Sequence, residues 1–250
     1  MSLDACAGLV QRGDPDRFAT VMAAPVAARA LLLPLYAFNL EVARAPWVTK
    51  EAMIAEMRLQ WWRDALEEMA AGRSRAHEVA GPLAGVVSNR IPVAILDRIV
   101  EARRWDIYSD PFDSEDDLIA YLNDTAGGLM WTAALALGAG DTDEAKVRDV
   151  ALAGGLASYL RAVPELRARG RQPLPLAFDV QRLAAIGLER LSSRRGIARR
   201  IAPALWPAWQ ARDILALARA EPGRVEEGAL TVPEFRKRGG LLWRALTGQA

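Results

Sequence analysis

The chain is patterned with a helical period along most of its length. Between Lys50 and Ala71 the apolar residues Ile54, Met57, Trp61 and Ala65 recur at spacings of three and four, and Trp62, Leu66 and Met69 widen that face. Glu56, Gln60, Arg63 and Glu67 form the opposite polar stripe. This predicts an amphipathic helix that starts near Thr49 and stops at Gly72. Ser114-Glu-Asp-Asp117 has the form of a capping box ahead of Leu118, Ile119 and Leu122. Asp141-Thr-Asp-Glu144 is a second such start, opening a helix towards Leu160. Weaker helical periods cover residues 18–45, 92–108 and 208–220. Alternating strand pairs and internal repeats are not found, so the class predicted is all-α.

Interruptions refine the pattern. Gly170-Arg-Gln-Pro-Leu-Pro175 must end a helix, because two prolines follow a glycine. Pro203, Pro207, Pro222 and Pro233 divide the tail into short helices and loops. No linker demands a second domain, so residues 1–250 read as one. Thr125-Ala-Gly-Gly128 and Ala153-Gly-Gly155 place glycines inside predicted helices, where each costs about 1 kcal/mol. Close helix packing or a ligand running along the backbone would offset that cost, and packing is the commoner reason. Trp61 and Trp62 pose the same choice between core packing and a ligand cavity. Asp64 and Glu68 are expected at the surface or paired with Arg58 and Arg63.

Composition then narrows the chemistry. Cys6 is the only cysteine and His77 the only histidine. That excludes an internal disulfide and multi-histidine or multi-cysteine metal sites, and leaves a carboxylate-held hard cation as the one metal to consider. His77 follows Gly72-Arg-Ser-Arg-Ala76 and reads as a solvated loop residue. No apolar run reaches the roughly 20 residues a bilayer span needs. The best candidate, near Ala30–Phe38, is interrupted by Pro34. The N-terminus carries early acids and no arginine-rich amphipathic pattern, so a cytoplasmic location is expected. Net charge is +1, yet residues 1–160 hold 15 Lys+Arg against 23 Asp+Glu, and residues 161–250 hold 17 against 8. Such asymmetry fits an anionic partner for the C-terminal third or contact between the two halves.

Three segments, in order, carry a family likeness. Arg29-Ala-Leu-Leu-Leu-Pro-Leu-Tyr-Ala-Phe38 is similar to the "YAF" helix of the squalene/phytoene synthase family. Tyr121-Leu-Asn-Asp-Thr-Ala-Gly-Gly128 resembles that family's Tyr-x-x-x-x-Ala-Gly helix. Leu156-Ala-Ser-Tyr-Leu-Arg161, followed by Gly170–Pro175, resembles the helix of its second aspartate-rich motif and the stretch after it. The likeness is clearest over residues 15–190. It implies an isoprenoid (trans-prenyl) synthase-like helical bundle around a central cavity. In such synthases two aspartate motifs hold magnesium, which binds prenyl diphosphate and assists its departure.

This chain departs from both motifs. Ala43, Arg44 and Trp47 stand where the first would place aspartates, and Ala162 and Leu166 stand in the second, with Pro164 between them. An arginine there repels magnesium. Tyr36–Arg44, Met57–Glu68 and Tyr159–Pro175 resemble a non-catalytic branch that includes respiratory complex I assembly factors and their bacterial relatives. The resemblance therefore implies a bacterial protein with no catalytic residues, metal or cofactor. Its partner would be a subunit or assembly intermediate of respiratory complex I. A lipid or prenyl ligand is a further expectation, with Tyr36, Asn39, Trp61, Arg161, Arg169 and Arg171 as binding candidates. The alternative is a prenyl-diphosphate transferase that uses magnesium on Glu41, Asp64, Asp124 and Glu165. Arg194-Arg195, Arg199-Arg200 and Arg236-Lys-Arg238 raise a third reading, peripheral contact with the inner membrane. Nucleic acid is not expected, since no basic motif is interleaved with aromatics.

Overall fold

Helix boundaries follow the capping chemistry closely. A computed structural model describes residues 3–87, 91–108, 110–175 and 177–249. Among the described residues there is no strand. The helices are α1 (Leu3–Gly13), α2 (Pro15–Ala23), α3 (Val26–Arg44), α4 (Ala52–Ala70), α5 (Ala80–Val87), α6 (Val93–Ala102) and α7 (Glu115–Leu122). They continue as α8 (Gly128–Ala136), α9 (Glu144–Ala168), α10 (Val180–Arg190), α11 (Ala202–Leu205), α12 (Ala211–Ala220), α13 (Gly223–Glu226) and α14 (Glu234–Thr247). A π turn, Asn123–Gly127, joins α7 to α8.

The Ser114 side chain accepts the Asp117 N–H at the start of α7. Gly72 (φ +74°) and Gly170 (φ +79°) end α4 and α9. In each case the following N–H reaches back five residues, Arg73 to the Glu68 carbonyl and Arg171 to the Leu166 carbonyl. A left-handed residue is needed to make that turn, which is why glycine stands at both positions. Ahead of α9 the cap lies one residue earlier than the sequence suggests. The Gly140 N–H donates to Asp143 Oδ2 at 3.1 Å, and Asp141–Asp143 forms a tight 3₁₀ turn.

Helix α3 packs against α1, α2, α5 and α8, and α9 packs against α8, α10 and α12. Tyr36, Phe38, Leu32 and Leu35 of α3 are fully buried with Leu156 and Leu160 of α9. Phe38 meets Trp62 edge-on at 5.2 Å between ring centroids, tying α4 to the same core. The glycine pairs serve close packing. A Cβ on Gly128 would lie 3.0 Å from Ile99 Cγ1, one on Gly154 3.0 Å from Ala208 Cβ, and one on Gly155 3.1 Å from Ala126 Cβ.

Several local expectations are corrected. Pro34 lies inside α3 without ending it. Val26–Trp47 is long and apolar enough to cross a bilayer by length and composition, at a mean hydropathy of 1.4, so Pro34 does not divide the apolar run as expected. Half of its apolar window is buried inside the protein, as befits a core helix. His77 is not a solvated loop side chain. Its Nδ1 accepts the N–H groups of Val79 and Ala80, supplying donors at the start of α5 with a partner, and its ring packs on Trp61 and Trp62. Glu68 pairs with Arg75 at 2.9 Å rather than with Arg58 or Arg63. Arg63 instead bridges to Asp97 and Glu101 on α6.

Candidate functional site

Along α9 a stripe of small residues recurs at helical spacing: Ala151, Gly154, Gly155, Ser158 and Ala162. With no bulk to project, this face leaves a space between α9 and α3. From the opposite side α3 presents Tyr36, Asn39 and Ala43, again at spacings of three and four. The result is a cavity of about 570 Å³. Leu129 and Met130 of α8 give it apolar walls, and Ala204, Pro207 and Ala208 close one side. Its size lies in the usual range for small-molecule sites, about 300–1,000 Å³.

Charge in this cavity is unevenly signed. Arg17, Arg44, Arg103 and Arg169 line it, against Asp106 and Glu165. Both carboxylates are engaged. Asp106 accepts from Arg103 at 3.1 Å and from the Tyr121 hydroxyl at 2.8 Å. Glu165 accepts from Arg169 at 2.6 Å. Arg44 is exposed and has no ion pair among the described residues. The guanidinium groups of Arg169 and Arg171 each lie 4.9 Å from the centroid of the Trp47 ring, forming a cationic rim at one side of the opening. Arg171 also donates to the backbone carbonyls of Tyr108 and Asp106, which pins the strand of chain after α6 to the end of α9.

Two tyrosines set the polar chemistry inside. Burial raises the Tyr121 phenol far above its ordinary pKa; the Arg103 charge opposes this, and Asp106 adds to it. It therefore stays a proton donor to Asp106. Tyr36 is 1% exposed, and its hydroxyl has no hydrogen-bond partner among the described residues. Burial pushes its pKa up to about 12. A buried, unsatisfied hydroxyl beside a cavity is a donor awaiting an acceptor.

A model of squalene/phytoene synthase matches residues 10–182, more than half of the chain. The chain belongs to the squalene/phytoene synthase family. Among curated proteins it is 27% identical over 179 residues to the complex I assembly factor 6 of Mus musculus, covering 70% of this chain and 54% of that protein. The homolog of that factor in Drosophila melanogaster is 28% identical over 195 residues, covering 74% and 57%. The chain thus spans about half the length of the curated relatives it matches. Among solved structures, a dehydrosqualene synthase in complex with ligand superposes with a TM-score of 0.76 at 16% identity, covering 98% of this chain and 95% of that one. Squalene synthase HpnC from Alicyclobacillus acidocaldarius gives 0.74 at 19% identity, covering 88% and 93%. The isoprenoid synthase-like helical fold follows from these likenesses.

Seen as a family member, the chain gathers some of the predicted positions and scatters others. Ala43, Arg44, Trp47, Ala162 and Leu166 all line the cavity, as do Tyr36, Asn39, Glu165 and Arg169. Arg171 stands just outside, in a small recess that shares Trp47 and Asp106. Arg161 is turned to another recess, 3.8 Å from Asp16. Trp61 is away from the cavity, packed on Trp62 and His77 with Arg75 over its ring. Of the fallback carboxylates only Glu165 reaches the cavity. Glu41 is not among its lining residues, Asp64 accepts from Gln60 at 2.7 Å on α4, and Asp124 faces Arg98 at 3.8 Å.

Magnesium that is to carry a diphosphate needs free carboxylate oxygens to share its octahedral shell with the phosphates and water. Here the two acids at the cavity are each paired with an arginine, and among the described residues no three His, Cys, Asp or Glu side chains gather where they could hold a metal ion. The side chains present do not fit that group. Arg17, Arg103, Asp106 and Ser158 were not singled out from the sequence. Arg103 and Asp106 are three apart in a 3₁₀ turn, a spacing too common in helical proteins to mark a site.

Proposed function

We propose that this protein is a non-catalytic assembly factor built on the prenyl-synthase fold, and that its client is respiratory complex I. The observation that carries the reading is the cavity's charge arrangement: each carboxylate is spent on an arginine, and unpaired Arg44 stands at the opening. The likeness to the assembly factors of mouse and fly points to the client. On this reading the cavity holds an amphiphile, such as a lipid or a prenyl chain, whose anionic head meets Arg44 and Arg169 without a metal. The protein works in a bacterial cytoplasm, at the inner membrane.

Deleting the gene and restoring it on a plasmid tests the proposal. Assembled NADH:quinone oxidoreductase, resolved on native gels and assayed in membranes, should fall on deletion and recover on restoration. Unchanged levels would sink the assembly role. Incubation of the purified chain with farnesyl diphosphate and magnesium tests the other half, since release of diphosphate would show a working transferase.

A further inference from the structure

Helix α14 is mounted inside out. A surface helix ordinarily turns its apolar stripe to the core and its charges to water. In α14 the side chains facing the body are Lys237, Gly240, Leu241, Arg244 and Thr247, at spacings of three and four. None of its residues is fully buried. What anchors it is polar. Lys237 Nζ sits 3.1 Å from Asp16, the Trp209 indole N–H donates to the Lys237 carbonyl at 3.2 Å, and the Trp206 indole N–H donates to the Gln249 carbonyl at 2.8 Å. Gly240 lies against Trp209.

The outward face is the apolar one. Phe235, Leu242, Trp243 and Leu246 are 75%, 60%, 61% and 74% exposed. At 3.6 residues per turn these four fall within an arc of about 100°. Arg236 borders one edge of that arc and Arg238 the other. Arg236 has no ion pair among the described residues, and Arg238 is 85% exposed with only a 3.6 Å contact to Glu234.

The surroundings add uncompensated positive charge. Arg199 packs against Gly248 at the end of the helix. Arg244 and Arg194 both hold their protons less tightly than an ordinary arginine. Burial is the main cause for each, followed by the charge of Arg194 on Arg244 and of Arg212 and Arg195 on Arg194. Arginines that act on one another in this way, opposed at Arg244 by Asp213, create a field that favours an anionic neighbour.

We infer that α14 is an interfacial helix that seats the protein on an anionic bilayer, with Phe235, Leu242, Trp243 and Leu246 entering the acyl boundary and Arg236 and Arg238 meeting the headgroups. Leucine, phenylalanine and tryptophan on one face with flanking arginines is the composition of helices that lie in the membrane plane. A second copy of the chain is a poor occupant, because a two-fold contact through this face would bring two surfaces of the same positive sign together. The inference is independent of the assembly role and stands or falls without it.

Co-sedimentation of the full chain with vesicles tests it. One set is phosphatidylcholine alone, the other phosphatidylcholine with phosphatidylglycerol, each at low and moderate salt. Wild-type protein should pellet with the anionic vesicles and much less with the neutral ones. The double variant Leu242→Gln/Leu246→Gln should bind at least about tenfold more weakly. Arg236→Gln/Arg238→Gln should bind about thirtyfold more weakly at low salt and approach wild type as salt rises. All four side chains are exposed, so circular dichroism should show unchanged folding. Protein that stays in the supernatant with anionic vesicles overturns the inference. So does binding that either double variant leaves intact, or a vesicle-free dimer that Leu242→Gln/Leu246→Gln dissociates.

Discussion

Replacing Tyr36 with phenylalanine removes one oxygen from the cavity wall. That oxygen is buried and lacks a partner among the described residues, so the folded protein carries the desolvation cost of a hydroxyl, about 1–3 kcal/mol. Arg17 lies 5.0 Å above the ring centroid, and its attraction to the ring face survives in phenylalanine. The phenol, pushed up to about 12 by burial and helped by Asp14 against Arg17, is neutral throughout any ordinary assay, so no charge changes on substitution. Tyr36→Phe should therefore stabilise the free protein by about 1–2 kcal/mol. For a chain of this size that raises the melting temperature by about 2–8 °C. Thermal and urea unfolding followed by circular dichroism would measure it. A ligand whose head accepts from Tyr36 should reverse the order, stabilising wild type more than the variant. Loss of 1 kcal/mol or more in the free variant would refute the reasoning, because it would mean that the hydroxyl already has an acceptor.

Two further substitutions probe the polar contacts that frame the cavity and α14. Arg103→Met strips Asp106 and the Tyr121 hydroxyl of their cation while keeping most of the side-chain volume. The Asp106 side chain is only 15% exposed, so the charge left behind should cost about 3 kcal/mol, read as a drop in the urea midpoint; a loss under 1 kcal/mol would show that water reaches the carboxylate freely. Asp16 holds α14 through Lys237. Burial raises its pKa, but the hydrogen bonds from Gln210 and Lys237 and the charges of Lys237 and Arg161 outweigh that, leaving it lowered from 3.8. A carboxylate depressed in the folded state stabilises it above its unfolded pKa and ceases to do so as pH falls through the folded value. Asp16→Asn should melt below wild type at neutral pH, and the two melting curves should converge below about pH 3.8; a gap that persists in acid would assign the effect to packing.

Local regularity made much of the fold readable from the chain. Helix α4 was legible because its period runs unbroken between a start near Thr49 and Gly72, and the observed helix, Ala52–Ala70, lies inside those limits. Cap residues marked the starts of α7 and α9 for the same local reason. The cavity positions on α3 and α9 were legible through family likeness, since each lies in a motif segment. Arg103 and Asp106 were not, because their value comes from meeting Tyr121 fifteen or more residues away. Trp61 stayed open between packing and a ligand, because a tryptophan on an amphipathic face looks alike whether it meets a ligand or a histidine. Helix α14 fell within a tail read as short helices and loops because four prolines divide that region, and its length and outward apolar face were not legible because that face packs on nothing within the described residues.

The π turn at Asn123–Gly127 has a consequence for how this cavity can change over time. A π turn is one residue longer than the α-helical turn it replaces, and it survives here between two ordinary helices. Deleting a single residue within it would restore an ordinary α-helical turn and leave α8 facing as it does now, because the π turn absorbs its extra residue locally. Leu129 and Met130 would keep their places on the cavity wall. What would change is the widened turn itself, where Thr125 and Ala126 line the cavity. A single codon lost there would reshape one patch of the lining without turning the helix that follows, and comparisons between relatives should track gaps at that turn as closely as they track residue identities.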